Sequence, residues 1–244
     1  MRRAILITVL AVLAFATILI ARMPAGWIIP SPPANISCSA ADGTIWSGTC
    51  TGLSVQGQRV GDIAWELRPA RLFRGRLAAH VAVTRPEAAA QADLESTFSG
   101  KTITARNVKA DVPLERTLIP QLPADLRGNT HTELALARLE NGSLSELQGR
   151  IEARDLREVG NDPSPLGSYS LTFPGGSQPL TGELHDLGGP LSFQGTLTLT
   201  PAGFQVQGMV AARPDAPADL ARQLQYLGSP DPQGRRPFSF ENSF

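Results

Sequence analysis

The sequence predicts an all-β protein: mainly an antiparallel meander forming a curved, twisted sheet or an open barrel or sandwich, preceded by one N-terminal transmembrane α-helix. One short C-terminal helix is expected near residues 217–227. Three observations carry this reading. Apolar residues recur with period two through most of the chain, which is the spacing of a half-buried strand. Residues 4–21 form an uncharged apolar run of 18 residues. Gly (23) and Pro (20) exceed their average combined share of about 12%, which means many turns and few long helices.

The apolar run, AILITVLAVLAFATILIA, begins after Met1-Arg2-Arg3. As a helix it would be about 27 Å long, close to the hydrocarbon core of a bilayer. Arg2 and Arg3 would stay on the cytoplasmic side. A cleaved signal peptide is the competing reading. Signal h-regions are shorter, however, and Arg22 and Pro24 stand where cleavage would occur. The sequence therefore divides into a cytoplasmic start (1–3), an anchor (4–21), a spacer (22–34) stiffened by Pro30-Ser31-Pro32-Pro33, and a β-rich domain (35–244) outside the cytoplasm.

Cys38 and Cys50 are the only cysteines. In an oxidising compartment such a pair is expected to form a disulfide. Free thiols are the next reading. Gly48-Thr49-Cys50-Thr51-Gly52 has the outline of a nucleophile elbow, but that motif needs a strand–turn–helix setting, and Leu53-Ser54-Val55-Gln56-Gly57 reads as strand and turn.

Strands follow in order. Weak patterns lie at 44–48 and 52–57. Ile63, Trp65 and Leu67 then alternate with Asp62, Ala64, Glu66 and Arg68, and Leu77, Ala79, Val81 and Val83 repeat the pattern. Further strands are expected near 91–98, 101–111, 130–139, 144–154, 180–187 and 237–241. The alternation is clean at Tyr169-Leu171-Phe173, Leu191-Phe193-Leu197-Leu199 and Phe204-Val206-Val210. Asn141-Gly142, Pro174-Gly175-Gly176, Gly188-Gly189-Pro190 and Pro201-Ala202-Gly203 supply short turns, so neighbouring strands should pair antiparallel. Gly195 and Gly208 fall on the apolar side of their strands and mark expected bends or bulges. Pro113, Pro120, Pro123 and Gly128 interrupt the pattern and place a subdivision near 113–128; Leu114–Ile119 has room for one or two helical turns. Leu220, Leu224 and Leu227 share a helical stripe between Pro217 and Gly228.

The charge balance excludes an electrostatic nucleic-acid binder: Lys+Arg is 22 and Asp+Glu is 22. No dinucleotide fingerprint, P-loop or zincin helix occurs, so no cofactor is expected. His80, His131 and His185 lack metal-ligand spacing, so no metal site is expected. Asp42, Asp62, Asp162, Asp186 and Asp231 stand beside Gly or Pro or close to them and read as turn residues, so no catalytic set is assigned and the chain is not expected to be an enzyme. Arg68, Arg71, Arg74 and Arg76 cluster around Pro69 and Gly75 as a solvated turn, with anionic head groups or an acidic partner as the sharper readings. Trp46 and Trp65 are expected in the core, and Trp27 at a membrane interface.

The stretches Gly43-Thr44-Ile45-Trp46-Ser47-Gly48, Ile63-Ala64-Trp65-Glu66-Leu67-Arg68-Pro69 and Leu72-Phe73-Arg74-Gly75-Arg76-Leu77 resemble the bacterial type II secretion system protein N family. The resemblance continues through Val108-Lys109-Ala110-Asp111-Val112-Pro113-Leu114 and Leu166-Gly167-Ser168-Tyr169. It is strongest at Gly188–Gly195 (GGPLSFQG) and Tyr226–Arg235 (YLGSPDPQGR). It implies an accessory, single-pass component of the bacterial inner membrane with a cytoplasmic N-terminus and a periplasmic β-rich domain. Such a component belongs to the machine that exports folded proteins across the outer membrane. It implies other inner-membrane and periplasmic subunits as partners, and no catalytic residues. A more distant resemblance to AsmA-type envelope proteins implies the alternative, a lipid-binding or lipid-transfer module with lipid as the partner.

Overall fold

The computed structural model describes residues 2–27, 36–116, 125–160, 163–176 and 179–243. The spacer prolines Pro30, Pro32 and Pro33, Asp162, and the second half of the expected turn at Leu114–Ile119 lie outside them. The chain forms two compact units, residues 1–86 and 87–244.

The first unit opens with helix α1 (Arg2–Ala21). Its apolar side chains from Ile7 to Ile20 are exposed. Among the described residues no helix is long and apolar enough to cross a membrane. The helix expected at 4–21 is present, and the side chains described in it begin at Ile7. A single helical turn at Ala25–Trp27 follows. The sheet comprises β1 (Ile36–Ser37), β2 (Ala40–Gly43), β3 (Ser47–Val55), β4 (Gln58–Leu67) and β5 (Arg76–Thr84). All pairings are antiparallel; β1 and β2 share β3, which leads to β4 and then β5.

β3 corrects the expectation of two strands at 44–48 and 52–57. It runs on through a bulge between Cys50 and Leu53, where the Gly52 N–H is taken by the Asp62 carboxylate at 2.8 Å. The bulge changes the phase of the alternation without ending the strand. Trp46 and Trp65 are half-buried, not core residues. The Trp46 indole donates to the Ile20 carbonyl at 2.9 Å, joining the Met23 N–H at 3.4 Å on one of the last carbonyls of α1. The Trp65 indole donates to the Ile45 carbonyl at 3.2 Å. Pro24 bridges to Thr44, and the Ile45 N–H reaches Met23 at 3.0 Å. The helix end is thus fastened to the sheet by backbone and indole groups together.

The second unit is a meander in strict sequence order. β6 (Ala89–Thr97), β7 (Thr102–Leu114), β8 (Leu126–Glu140) and β9 (Ser143–Glu158) are followed by β10 (Ser164–Pro174), β11 (Leu180–Gly188), β12 (Leu191–Thr200), β13 (Gly203–Ala212) and β14 (Arg236–Ser243). Each pairs antiparallel with the next. Among the described residues no strand of this unit returns to pair out of order, so it is neither a sandwich nor a closed barrel. The β8–β9 turn is the expected Asn141-Gly142, with both residues at positive φ (52° and 83°), the geometry of a two-residue hairpin. Helix α2 (Ala218–Leu224) sits between β13 and β14 and follows Pro217.

One face of this sheet is apolar. Leu147, Phe173 and Leu180 are its buried centre, with Leu134, Ile151, Leu171, Leu197 and Leu199 packed around them. Tyr169, Phe193 and Phe238 continue it as edge-on rings, with centroids 6.3 and 5.7 Å apart. Most of these side chains are half-buried, and among the described residues no large side chain is fully buried. Gly195 and Gly208 stand directly opposite each other in unbroken register, so they mark a close approach of two backbones and not the expected bulge. A Cβ on Gly195 would lie 2.3 Å from the Gln207 carbonyl.

Candidate interaction surface

The opposite face of β6–β14 is polar, and the register aligns its side chains into rows. Gln91, Lys109, Glu133, Arg150, Thr172, Glu183, Thr196, Gln207 and Ser239 are successive cross-strand partners from β6 to β14. A second row runs Asp111, His131, Glu152, Ser170, His185 and Gln194. Strands β7 to β12 each contribute two residues separated by one neighbour that points to the other face, which is how alternating Cβ directions place polar groups on one face and hydrocarbon on the other.

Opposite charges meet across these rows. Lys109 Nζ lies 3.5 Å from Glu133. His131 is 2.6 Å from Asp111 through Nδ1 and 3.8 Å from Glu133 through Nε2. Glu152 receives Arg154 through Nε at 2.8 Å and Nη2 at 2.5 Å, with Arg150 at 3.6 Å. The hydrogen bond from Arg154 is the main cause that holds the Glu152 carboxyl below the usual carboxylate range; burial opposes it, and the Arg154, Arg150 and His131 charges add to it. His185 lies 3.8 Å from Glu183. Most of these groups remain solvated, so each pair contributes little to stability on its own. Together they form a wide, complementary, water-facing pattern.

The other residues singled out from sequence are dispersed. His80 lies opposite Glu66 in the first unit. Asp62 supports the β3 bulge. Asp231 accepts the N–H groups of Gln233 and Arg235 in a turn. Asp186 is half enclosed: burial works to raise its carboxyl, but hydrogen bonds from Arg213 and from the Phe193 N–H hold it below its ordinary value. It is a brace between β11, β12 and the end of β13. The Cys38 and Cys50 sulfurs lie at bonding distance, with Cα atoms 5.8 Å apart. Among the described residues no cluster of three or more His, Cys, Asp or Glu could hold a metal ion.

Sequence reasoning placed His131 and His185 on strands but missed the rows. The available signal is a pair of ionisable residues flanking one residue, at 109–111, 131–133, 150–152 and 183–185.

A family model described as "Type II secretion system (T2SS), protein N" matches residues 34–239. The chain belongs to the type II secretion system protein N family. The curated "Type II secretion system protein N" of Aeromonas hydrophila is 25% identical over 263 residues, covering 99% of both chains. That of Vibrio cholerae serotype O1 is 25% identical over 231 residues, covering 85% of this chain and 84% of its own. No solved structure matches significantly. The chain is therefore a component of the type II secretion system and works with other subunits of that machinery. The recurrence of this family across the whole length fits the Gly188–Gly195 and Tyr226–Arg235 stretches that carried the resemblance.

Proposed function

We propose that this protein N family member is a single-pass inner-membrane subunit that acts by contact, with its N-terminus cytoplasmic and its β-rich units periplasmic. It docks through the polar face of β6–β14 to other inner-membrane and periplasmic subunits of the machine. The observation that carries the reading is the pair of complementary charged rows crossing that face. They are arranged for broad recognition, since complementary charge fixes orientation and partner choice more than it adds affinity. β14 offers a second means, because among the described residues it pairs only with β13 and its other edge is available for strand addition. The exposed apolar surface of α1 supports the anchor, since an apolar helix exposed all round needs lipid or protein to cover it. In this compartment the Cys38–Cys50 pair is oxidised.

The test is export of a secreted protein in cells carrying only variant chains. Single substitutions to Ala at His131, Glu133, Arg150 or Glu183 should leave export largely intact. The paired reversal Glu133→Lys with Lys109→Glu, which keeps the mutual ion pair and alters the pattern seen by a partner, should reduce it strongly while the protein stays folded. If one conservative His or carboxylate change stopped export with fold and partner contacts preserved, an enzymatic role would replace the contact reading.

One observation favours a second reading, the lipid-binding module. The apolar face has no second layer packed on it among the described residues of its unit, and Ile103 and Phe240 are 42% and 50% exposed. Stoichiometric phospholipid retained by the purified chain after detergent exchange would support that reading; its absence would leave the contact reading alone.

A further inference from the structure

We propose that the turn joining β4 to β5 is a second membrane contact, in which Phe73 enters the head-group layer and Arg74 meets anionic phospholipid. The inference rests on the anchor proposed above. The turn is a short helical segment, Pro69–Arg74, closed by Gly75 in the left-handed conformation. Phe73 stands 93% exposed on it, an extreme value for a side chain that ordinarily buries its ring. Residues 68–76 contain Arg68, Arg71, Arg74 and Arg76 and no carboxylate.

Position gives this patch its meaning. The Trp46 indole is bonded to the Ile20 carbonyl at 2.9 Å. The Trp46 carbonyl accepts the Leu67 N–H at 2.6 Å, and the Arg68 N–H reaches the Ala78 carbonyl at 2.8 Å. Three hydrogen bonds therefore connect the end of α1 to both stems of the turn. Trp27, 67% exposed, is held at the same end by the turn at Ala25–Trp27. If α1 spans the bilayer, its outer end lies at the interface, and the basic turn lies beside it. Aromatic side chains with arginine at that depth match the polarity gradient of the head-group region and its negative charge. The other end of the β3–β4 hairpin, at Gln56 and Gly57, is nine strand residues away, about 30 Å.

Full-length protein with Ala70→Cys, labelled with an environment-sensitive fluorophore, is placed in vesicles of equal parts phosphatidylglycerol and phosphatidylcholine carrying a head-group quencher. Gln58→Cys is the control label. The Ala70 label should be quenched several-fold more than the Gln58 label. Arg74→Gln should lower the docked-to-free ratio roughly fivefold, as expected for one basic residue at an anionic surface. Phe73→Ser should weaken it further, and both exposed changes should leave circular dichroism unchanged. Equal quenching of the two labels in protein that resists alkaline carbonate would overturn the contact alone, leaving an acidic protein surface as the partner. Quenching unchanged by Arg74→Gln and equal in pure phosphatidylcholine would overturn the anionic-lipid assignment. Release by carbonate would overturn the anchor and this contact with it.

Discussion

Glu152 lies on a solvated sheet face, yet its side chain is only 12% exposed. The Arg154 hydrogen bond, and then the Arg154 and Arg150 charges, compensate its burial and depress its pKa. A carboxylate whose pKa is lower in the folded chain adds stability that is fully present above its unfolded value, near 4.3. That stability is lost as pH falls through the folded value. The urea midpoint of the native chain should therefore fall more steeply between about pH 7 and about pH 3 than that of Glu152→Gln. Equal slopes would show that Glu152 takes no part in the acid response. The cysteine pair is the other residue-scale test. Alkylation of unreduced, denatured protein should label neither Cys38 nor Cys50. Reduction should lower stability by about 3 kcal/mol, the expected entropic effect of opening a loop of roughly a dozen residues. Full labelling of both would refute the pairing.

At the scale of elements, Gly48 sets how closely β3 lies against the end of β2 and the Trp65 ring of β4. It stands opposite Trp65 on β4, and a Cβ there would lie 2.6 Å from the Asp42 carbonyl and 2.6 Å from the Trp65 ring. Gly48→Ala must move a strand backbone or the indole that bonds Ile45. A loss of about 1–3 kcal/mol is expected from such overpacking, measured as a lower denaturant midpoint with unchanged slope. An unchanged midpoint would show that the hairpin has room to relax. The strand positions and the Asn141-Gly142 hairpin were legible in the sequence because they depend on alternation and turn chemistry within a few residues. β3 was misread because its bulge shifts that alternation. The charged rows were not legible, because they depend on register across strands as long as the 16 residues of β9. Several bulges intervene in those ladders, and a slip of one residue would move every charge to the other face. Trp46 was misplaced for a related reason: its partner, the Ile20 carbonyl, lies 26 residues away.

At the scale of the whole molecule, the proposed function makes the anchor and the polar rows parts of one mechanism. Rows of partly solvated ion pairs give weak individual contacts, and a surface built from them would engage a free partner poorly. Confinement beside inner-membrane subunits changes that, since a tethered module meets its neighbour at an effective concentration of about millimolar without any new contact. The contact reading therefore predicts a dependence on attachment separate from any dependence on folding. Residues 2–21 can be exchanged for a cleavable signal peptide, which delivers the same units to the periplasm unattached. Export should fall sharply at native expression while the released protein remains folded and oxidised. Overexpression should restore export in part, because concentration can replace tethering when the helix supplies only proximity. A single-span helix of unrelated sequence should restore it fully. Failure of that unrelated helix, with the protein correctly inserted, would mean that α1 makes specific contacts of its own and would reject the role of simple anchor. Full export by the released form at native levels would show that the polar face binds strongly enough without the membrane, and that the rows are worth more than solvated pairs ordinarily contribute.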